Sequence, residues 1–453
     1  MRKSIEIAER VSLEDMLNAR ESRSKIQKEM LIYNGGSLIS FTLNIPGEFK
    51  VFPLAEKAFE TGKELISHQL SSHWIHITQC EERKEKTGLE CFYSINEDAV
   101  LLKGLMLEIE ESHPLGRLFD IDVLDQDGTI LKGESYGRME RGCLICGAPV
   151  WECSRSRSHS AEDLSHRTVE ILQDYFNKQY AEQIAGKAVN ALITEVCITP
   201  KPGLVDRLDN GAHKDMDMFT FINSATSLFS YFNRLVIYSG TFEGEAEQLL
   251  KSIRIIGRQA EEIMLTATKG VNTHKGAIFS LGIISAALGY MHGKNIPITP
   301  ESLFSMCSKI ANDLKADFKD NHIKTNGERI YRKHGITGIR GEAAEGFPHI
   351  RNVALPIYVD YLSKGFTCEQ SGAISLLHLI AEVDDTNVIA RSDLKTLQDI
   401  QNRVRRELKE EQDINKLLLF AEKLNSEFIM KNISPGGCAD LLAATLFIYH
   451  TSY

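Results

Sequence analysis

From Ser160 to the C-terminus, apolar side chains recur at helical spacing with hardly a strand-like run between them. The first stretch, "SAEDLSHRTVEILQDYFNKQYAEQIAGKAVNALITEV", reads as one long helix from Ser160 toward Val196. It is followed by "MFTFINSATSLFSYFNRLVIYSG", "AEQLLKSIRIIGRQAEEIMLTAT", "KGAIFSLGIISAALGYMHG" and "PESLFSMCSKIANDLKADF", with three more helical runs before the end. Several are apolar enough to be buried on more than one face. This rhythm predicts an all-α helical domain.

The residues before it follow a different rhythm. "SLEDMLNAR" opens on a capping box, Ser12 with Asp15, and places Leu13, Met16 and Leu17 on one helical face. "SLISFTLNIPG" is β-rich and stops at Pro46-Gly47. "HWIHITQC" and "LECFYSI" read as paired strands around a charged hairpin tip, "EERKEKTG". "LAEKAFETGKELISHQL" and "DAVLLKGLMLEIEESH" are helical. An N-terminal α+β domain is therefore expected. At 453 residues the chain is too long for one ordinary core. No Ser/Gly linker separates the halves, so the boundary is placed inside the long helix near Asn177–Tyr180, giving domains 1–178 and 179–453.

A hydrophobic fraction of 43% with 25% charged residues is that of a globular protein. With no run of 18 or more apolar residues, no membrane span is expected. "MRKSIEIAERVSLEDML" lacks the apolar core of a secretory signal, and nine scattered cysteines read as thiols of a reducing cytoplasm. A net charge of −10 argues against a general nucleic-acid binder.

"GRLFDIDVLDQDG" carries four aspartates. Strand periodicity puts Asp120 and Asp122 on one face, taken as exposed, and Phe119, Ile121 and Val123 on the other. Such a pair can hold Mg²⁺ on a nucleotide's phosphates, or be the polar face of an ordinary strand. Asp125 and Asp127 read as turn formers, with "TILKGE" returning as a second strand. No bidentate glutamate follows at the spacing a calcium loop requires. Downstream, Cys143, Cys146, Cys153 and His159 are either zinc ligands or buried thiols beside a histidine. Arg155, Arg157 and His159 precede an acid-rich helix start and are either pyrophosphate contacts or a solvated basic turn.

Five polar connectors interrupt the helical half. "TPKPGLVDRLDNGAHKDMD" holds Lys201, Gly203, Asp206, Asn210 and His213. "GVNTHKGA" holds Asn272, His274 and Lys275. "HGITGIRGEAAEGFP" holds Arg340, Gly341 and Glu342. "EVDDTNVIAR" holds Asp384 and Asp385, and "ISPGGCADLL" holds Gly436, Gly437 and Asp440. One such connector alone is explained by helix capping. Together, glycine-flanked helix N-termini, cations and paired carboxylates predict a nucleotide site at one end of a bundle.

In their order, "TPKPGLVDRLDNGAHKDM", "GVNTHKGAIFSLG", "GIRGEAAEGFP" and "SPGGCADLLAAT" resemble the triphosphoribosyl-dephospho-CoA synthase (CitG-like) family, from Gln179 to Tyr453. "GRLFDIDV" and "RGCLICGAPVWECSRSRSHS" resemble the apo-citrate lyase phosphoribosyl-dephospho-CoA transferase (CitX-like) family. The resemblance implies a nucleotidyltransferase-like N-terminal domain and two linked reactions. ATP and 3′-dephospho-CoA would give 2′-(5″-triphosphoribosyl)-3′-dephospho-CoA and adenine. The phosphoribosyl-dephospho-CoA unit would then pass to a serine of the citrate lyase acyl carrier subunit, releasing pyrophosphate.

On that resemblance Asp384, Asp385 and Glu342 serve metal and cation stabilisation, and Lys201, Lys275 and Arg340 hold the triphosphate. His213 or His274 assists proton transfer. Gly203, Asp206, Asn210, Asn272, Gly341, Gly436, Gly437 and Asp440 contact nucleotide. Asp120 and Asp122 bind Mg²⁺, with Gly116, Arg117, Arg155, Arg157 and His159 on the substrate. Two other readings remain at this point: a Mg²⁺-dependent ADP-ribosyl-type glycohydrolase in the helical half, and a zinc-stabilised carrier-docking module in the N-terminal half.

Overall fold

The computed structural model describes residues 9–133, 142–314 and 326–452. It divides into two compact units, Met1–Asn177 and Lys178–Tyr453.

The first unit contains α1 (Leu13–Asn34), β1 (Ser37–Leu43), α2 (Pro53–Ser72), β2 (Ile77–Glu85), β3 (Gly88–Ile95), α3 (Ala99–Ser112), β4 (Phe119–Leu124) and α4 (Val150–Ser156). The long α5 (Ala161–Cys197) carries residues of both units. Among the described residues the strands form a four-stranded antiparallel sheet in the order β2-β3-β1-β4. One face packs Ile39, Phe41, Tyr93, Ile121 and Val123 against α2, α3 and the start of α5. Phe41 stacks on Phe59 of α2 with ring centroids 5.0 Å apart.

The charged run expected at a hairpin tip lies mostly within β2, and only Lys86-Thr87 form the turn. β2 is an edge strand, where charged side chains remain solvated and discourage further pairing. The capping box at Ser12 and Asp15 is present. Leu13 and Leu17, however, are 79% and 51% exposed, and Met30 is the buried residue of α1.

β4 is the other edge, and side chains of α3 occupy its outer hydrogen-bonding positions. Lys103 Nζ donates to the Ile121 carbonyl at 2.9 Å, and the Ile121 N–H donates to Glu110 Oε1 at 3.2 Å. The expected return strand after Gly128 is reduced, over its described residues, to a single bridge between Leu124 and Ile130. Asp125 Oδ1 accepts the N–H groups of Asp127 and Thr129, so the turn forms as its aspartate predicts.

The second unit is helical. After α5 come α6 (Met218–Ser227), α7 (Phe229–Gly240), α8 (Ala246–Ala267), α9 (Lys275–Gly293), α10 (Pro300–Ile310), α11 (Asn326–His334) and α12 (Gly338–Ala344). A π-turn at Ile350–Ala354 leads into α13 (Leu355–Ser363), α14 (Cys368–Glu382), α15 (Thr386–Arg391), α16 (Leu394–Glu410), α17 (Ile414–Met430) and α18 (Gly436–Ser452). α9 is the central helix. Its residues from Ala277 to Met291 are almost all buried, and it packs against α7, α8, α10 and α18. A side chain on Gly289 would collide with the Val236 backbone, so glycine permits the close α7–α9 crossing.

By length and composition α9 qualifies as a membrane span, against the expectation of no such run. Yet 78% of that window is buried inside this unit. A helix surrounded by others is apolar all round for the same reason as a membrane helix, because no face meets water.

Candidate functional site

In the helical unit four of the five polar connectors line one cavity of about 540 Å³. Asn272, Lys275 and Gly276 come from the start of α9, and Gly341 and Glu342 from α12. Asp384, Asp385 and Asn387 come from the start of α15, and Gly437 and Asp440 from the start of α18. Three helix N-termini thus open on one space, an arrangement suited to phosphate oxygens.

The carboxylates have unequal environments. Asp384 is exposed. Its neighbour Asp385 is buried and spans two helix starts. Oδ1 accepts from the N–H groups of Asn387 and Val388, and Oδ2 accepts from that of Cys438 at 2.9 Å. Burial raises the Asp385 pKa above the usual carboxylate range, against the pull of those N–H groups. Capping therefore uses much of the acceptor capacity assigned to a cation. Asp440 lies against the first turn of α9, where a Cβ on Gly276 would overlap its carboxylate. Burial, then the charges of Glu195 and Asp385, raise its pKa well above the ordinary range, opposed by the Ala277 N–H. Asp440 thus faces the cavity with its proton held more tightly than that of an ordinary aspartate.

Glu342 forms a short hydrogen bond with His349 Nδ1, and the His349 N–H donates to Glu342 Oε2 at 3.3 Å. That bond raises the His349 pKa; burial opposes it, and the charges of Glu342, Glu382 and Asp384 add to the rise. His349 lines the cavity and was not singled out in the sequence. Its signal was proximity: it follows the third connector by a single residue, in "GFPHI".

The remaining assigned residues lie elsewhere. Lys201 is 1% exposed, and its Nζ donates to Glu195 at 2.5 Å. A lysine so placed is a buried counter-ion, not a surface phosphate clamp. Asp206 accepts from Thr199 Oγ1 and from the N–H groups of Lys201, Leu208 and Asp209, which folds its own loop. Gly203 sits at φ +70° against the Ile433 carbonyl, and its N–H donates to Asn425 Oδ1. Asn210 is exposed on the same loop.

His213 bonds Ser434 Oγ at 2.9 Å, with Arg391 beside its other nitrogen. Burial and then Arg391 lower its pKa. His274 is buried, bonded to Ser224 Oγ at 2.7 Å and set edge-on to Phe221. Burial, then Lys201, bring its pKa down to about 3. Neither histidine lines the cavity. Arg340 pairs with Glu328 and lines a second cavity, of about 300 Å³, with Arg254, Arg258 and Glu261. Lys275, from the first cavity, pairs with Glu261 of the second at 2.8 Å. Gly341 and Gly436 are pressed against Thr337 and Asn387, and Gly437 against Asp385.

In the first unit Asp120 and Asp122 share the sheet face with Thr42 and Ser40, their partners on β1. The face is not open, as expected, but half-buried beneath α1. Gln27 of α1 donates to Ser40 Oγ, and Arg23 pairs with Glu90 one strand further. The alternation that makes one face apolar leaves the other polar, and α1 supplies polar side chains to match it. Gly116 is close-packed, since a side chain there would meet the Glu110 backbone at the end of α3. Arg117 Nη2 donates to the Gly142 carbonyl. Arg155 lies over Trp151, 5.6 Å from the ring centroid to its guanidinium carbon, and Arg157 is the left-handed residue ending α4; both are exposed. His159 is gathered with Cys143, Cys146 and Cys153, their ligand atoms all within 4.8 Å of one another.

Comparison with known proteins follows the same division. Residues 181–452 match the family described as ATP:dephospho-CoA triphosphoribosyl transferase, and residues 11–175 match apo-citrate lyase phosphoribosyl-dephospho-CoA transferase. A Haemophilus influenzae protein named Protein CitXG is 35% identical over 97% of this chain and 96% of its own length. Protein CitXG of Leuconostoc mesenteroides subsp. cremoris is 33% identical over 97% of each. A Vibrio cholerae protein named as a probable 2-(5″-triphosphoribosyl)-3′-dephosphocoenzyme-A synthase is 42% identical over 58% of this chain and 86% of its own. The chain therefore belongs to the ATP:dephospho-CoA triphosphoribosyl transferase family, joined in one polypeptide to a member of the apo-citrate lyase phosphoribosyl-dephospho-CoA transferase family.

Proposed function

We propose that the chain makes and installs the prosthetic group of citrate lyase. The observation that carries this reading is the convergence of four polar connectors on one cavity within a unit that matches the triphosphoribosyl transferase family. In the helical unit the 2′-hydroxyl of 3′-dephospho-CoA attacks the ribose anomeric carbon of ATP. The new C–O bond replaces the glycosidic C–N bond, the hydroxyl proton passes to a base, and adenine leaves with a proton from an acid. Asp440, which lines the cavity and whose surroundings raise its pKa, is placed to be that acid. Glu342, oriented by His349, is placed to be the base or to stabilise the oxocarbenium-like centre. The helix N-termini and Lys275 receive the triphosphate, while Arg340 with Arg254 and Arg258 offers cations in the second cavity.

In the N-terminal unit, which we assign a nucleotidyltransferase-like role, the acyl carrier serine attacks the α-phosphorus and pyrophosphate departs. Asp120 and Asp122 would hold Mg²⁺, which supplies charge neutralisation when bound; two hard carboxylate donors on adjacent same-face positions suit such an ion. None of the nine cysteines is paired in a disulfide, as suits work in a reducing cytoplasm. The test is mass spectrometry of an apo acyl carrier subunit incubated with the protein, ATP, dephospho-CoA and Mg²⁺. The expected product gains one phosphoribosyl-dephospho-CoA unit at a serine, with one adenine released per unit formed. Adenine release that proceeds without dephospho-CoA would overturn the reading.

A further inference from the structure

One cluster in the N-terminal unit takes no part in the reactions above. The thiols of Cys143, Cys146 and Cys153 and a ring nitrogen of His159 all lie within 4.8 Å of one another. Around a tetrahedral zinc ion, with Zn–S of about 2.3 Å and Zn–N of about 2.0 Å, ligand atoms stand roughly 3.5–3.8 Å apart. Cys146 Sγ and Cys153 Sγ are 3.3 Å apart, within contact of that spacing and far beyond a disulfide bond. The His159 Nε2 atom is buried and has no hydrogen-bond partner among the described residues, which is costly for an imidazole unless a further ligand satisfies it.

The backbone around the first cysteine pair is shaped for an ion. The Ile145 N–H points at Cys143 Sγ, 3.5 Å away, and the Gly147 N–H returns to the Cys143 carbonyl. Gly147 supplies the left-handed turn at φ +74°, and Gly142 pairs with Pro149 in an isolated bridge. The segment from Gly142 to His159 makes little apolar contact with the rest of its unit, Leu144 being its one side chain packed against the core among the described residues. None of its described residues is buried, and Ile145, Val150 and Trp151 are exposed. A segment with so little apolar burial gains much of its order from a cross-link such as a bound metal ion.

The geometry points to a structural Zn²⁺ site formed by Cys143, Cys146, Cys153 and His159. Four protein ligands close the coordination sphere, so the ion is not a catalytic centre. Soft thiolates select zinc over Mg²⁺, which separates this site from the aspartate pair. Its position is informative. Arg117, three residues before Asp120, is bonded to the Gly142 carbonyl, and His159 directly precedes Ser160, whose hydroxyl caps α5. The ion would tie the turn that enters β4 to the start of α5 and fix the loop that displays Arg155 and Arg157.

The test uses the full chain, purified without a histidine tag under reducing conditions and dialysed against zinc-free buffer. Elemental analysis and native mass spectrometry should find one zinc per chain. Replacement by Co²⁺ should give thiolate charge-transfer bands and tetrahedral d–d bands. Cys146→Ser should lose the zinc, and His159→Cys should retain it with a shifted Co²⁺ spectrum. Cys80→Ser, at an exposed thiol outside the cluster, should bind one zinc as before. Circular dichroism of each variant separates metal loss from unfolding. A folded protein that fails to take up zinc when the metal is supplied, or a Cys146–Cys153 disulfide in the reduced preparation, would overturn the assignment. So would full zinc retention in both Cys146→Ser and His159→Ala.

Discussion

A methyl group on Gly276 would overlap the carboxylate of Asp440. The two residues open different helices, α9 and α18, and the missing side chain lets the acid of one sit on the first turn of the other. Gly276→Ala is expected to push Asp440 out of place and to lower adenine release by about 100-fold, the scale of a misplaced catalytic group. The acyl carrier should still be labelled when triphosphoribosyl-dephospho-CoA is supplied directly. Unchanged adenine release would mean that Asp440 does not act from this position.

Asp440 also predicts a pH profile. Burial and two neighbouring carboxylates raise its folded pKa, so it holds its proton where an ordinary aspartate has lost it. Adenine release should be constant at low pH and fall as pH rises through that folded pKa. The linked stability has the same sign: it is full below the unfolded value and is lost as pH rises. Asp440→Asn should slow release by roughly 10²- to 10⁴-fold and remove the alkaline limb. An asparagine variant with the wild-type limb intact would assign the titration to another group.

These residues show where the sequence was legible. Helical spacing after Ser160 and the glycine-flanked connectors are local signals, and the structure gathers four of the connectors around one cavity. Burial is not local. Nothing in "TPKPG" indicates that Lys201 turns inward to Glu195, and nothing in "FDIDV" indicates that α1 lies over the aspartate face. The charged run of β2 was misplaced because a solvated edge strand and a solvated turn have the same composition. His349 escapes a sequence reading because the turn after α12, and not a motif spacing, brings it back onto Glu342 of that helix.

Adjacent aspartates should separate function from stability. Asp385 accepts three backbone N–H groups at two helix starts, so Asp385→Ala is expected to cost roughly 2–4 kcal/mol in urea unfolding. Asp384 is exposed on the cavity wall, and Asp384→Ala should leave the unfolding midpoint nearly unchanged while impairing adenine release. The opposite pattern would exchange their roles.

The two units should fail independently. Asp120→Ala removes one carboxylate from a face whose partner strand is Thr42 and Ser40, far in sequence from the helical cavity. Carrier labelling should be abolished, while adenine continues to be released from ATP and dephospho-CoA. Loss of both activities, together with a lowered melting temperature, would identify a folding defect instead.

His274 gives the helical unit a built-in sensitivity to acid. Its folded pKa of about 3 lies below the unfolded histidine value of about 6.5. The folded state therefore binds fewer protons than the unfolded state between these values, and stability rises with pH across that window. The contribution is complete above about pH 6.5 and is lost progressively as pH falls toward 3. Between pH 7.5 and pH 5 the single imidazole accounts for about 2 kcal/mol, at about 1.4 kcal/mol per pH unit below its unfolded value. His274→Asn, which keeps a polar group near Ser224 without a titrating ring, should be less stable at pH 7.5 but flatter in its dependence on pH. Urea unfolding at the two pH values measures both quantities. An undiminished slope in the variant would place the acid sensitivity in His213, His378 or His450, whose pKa values are also lowered by burial.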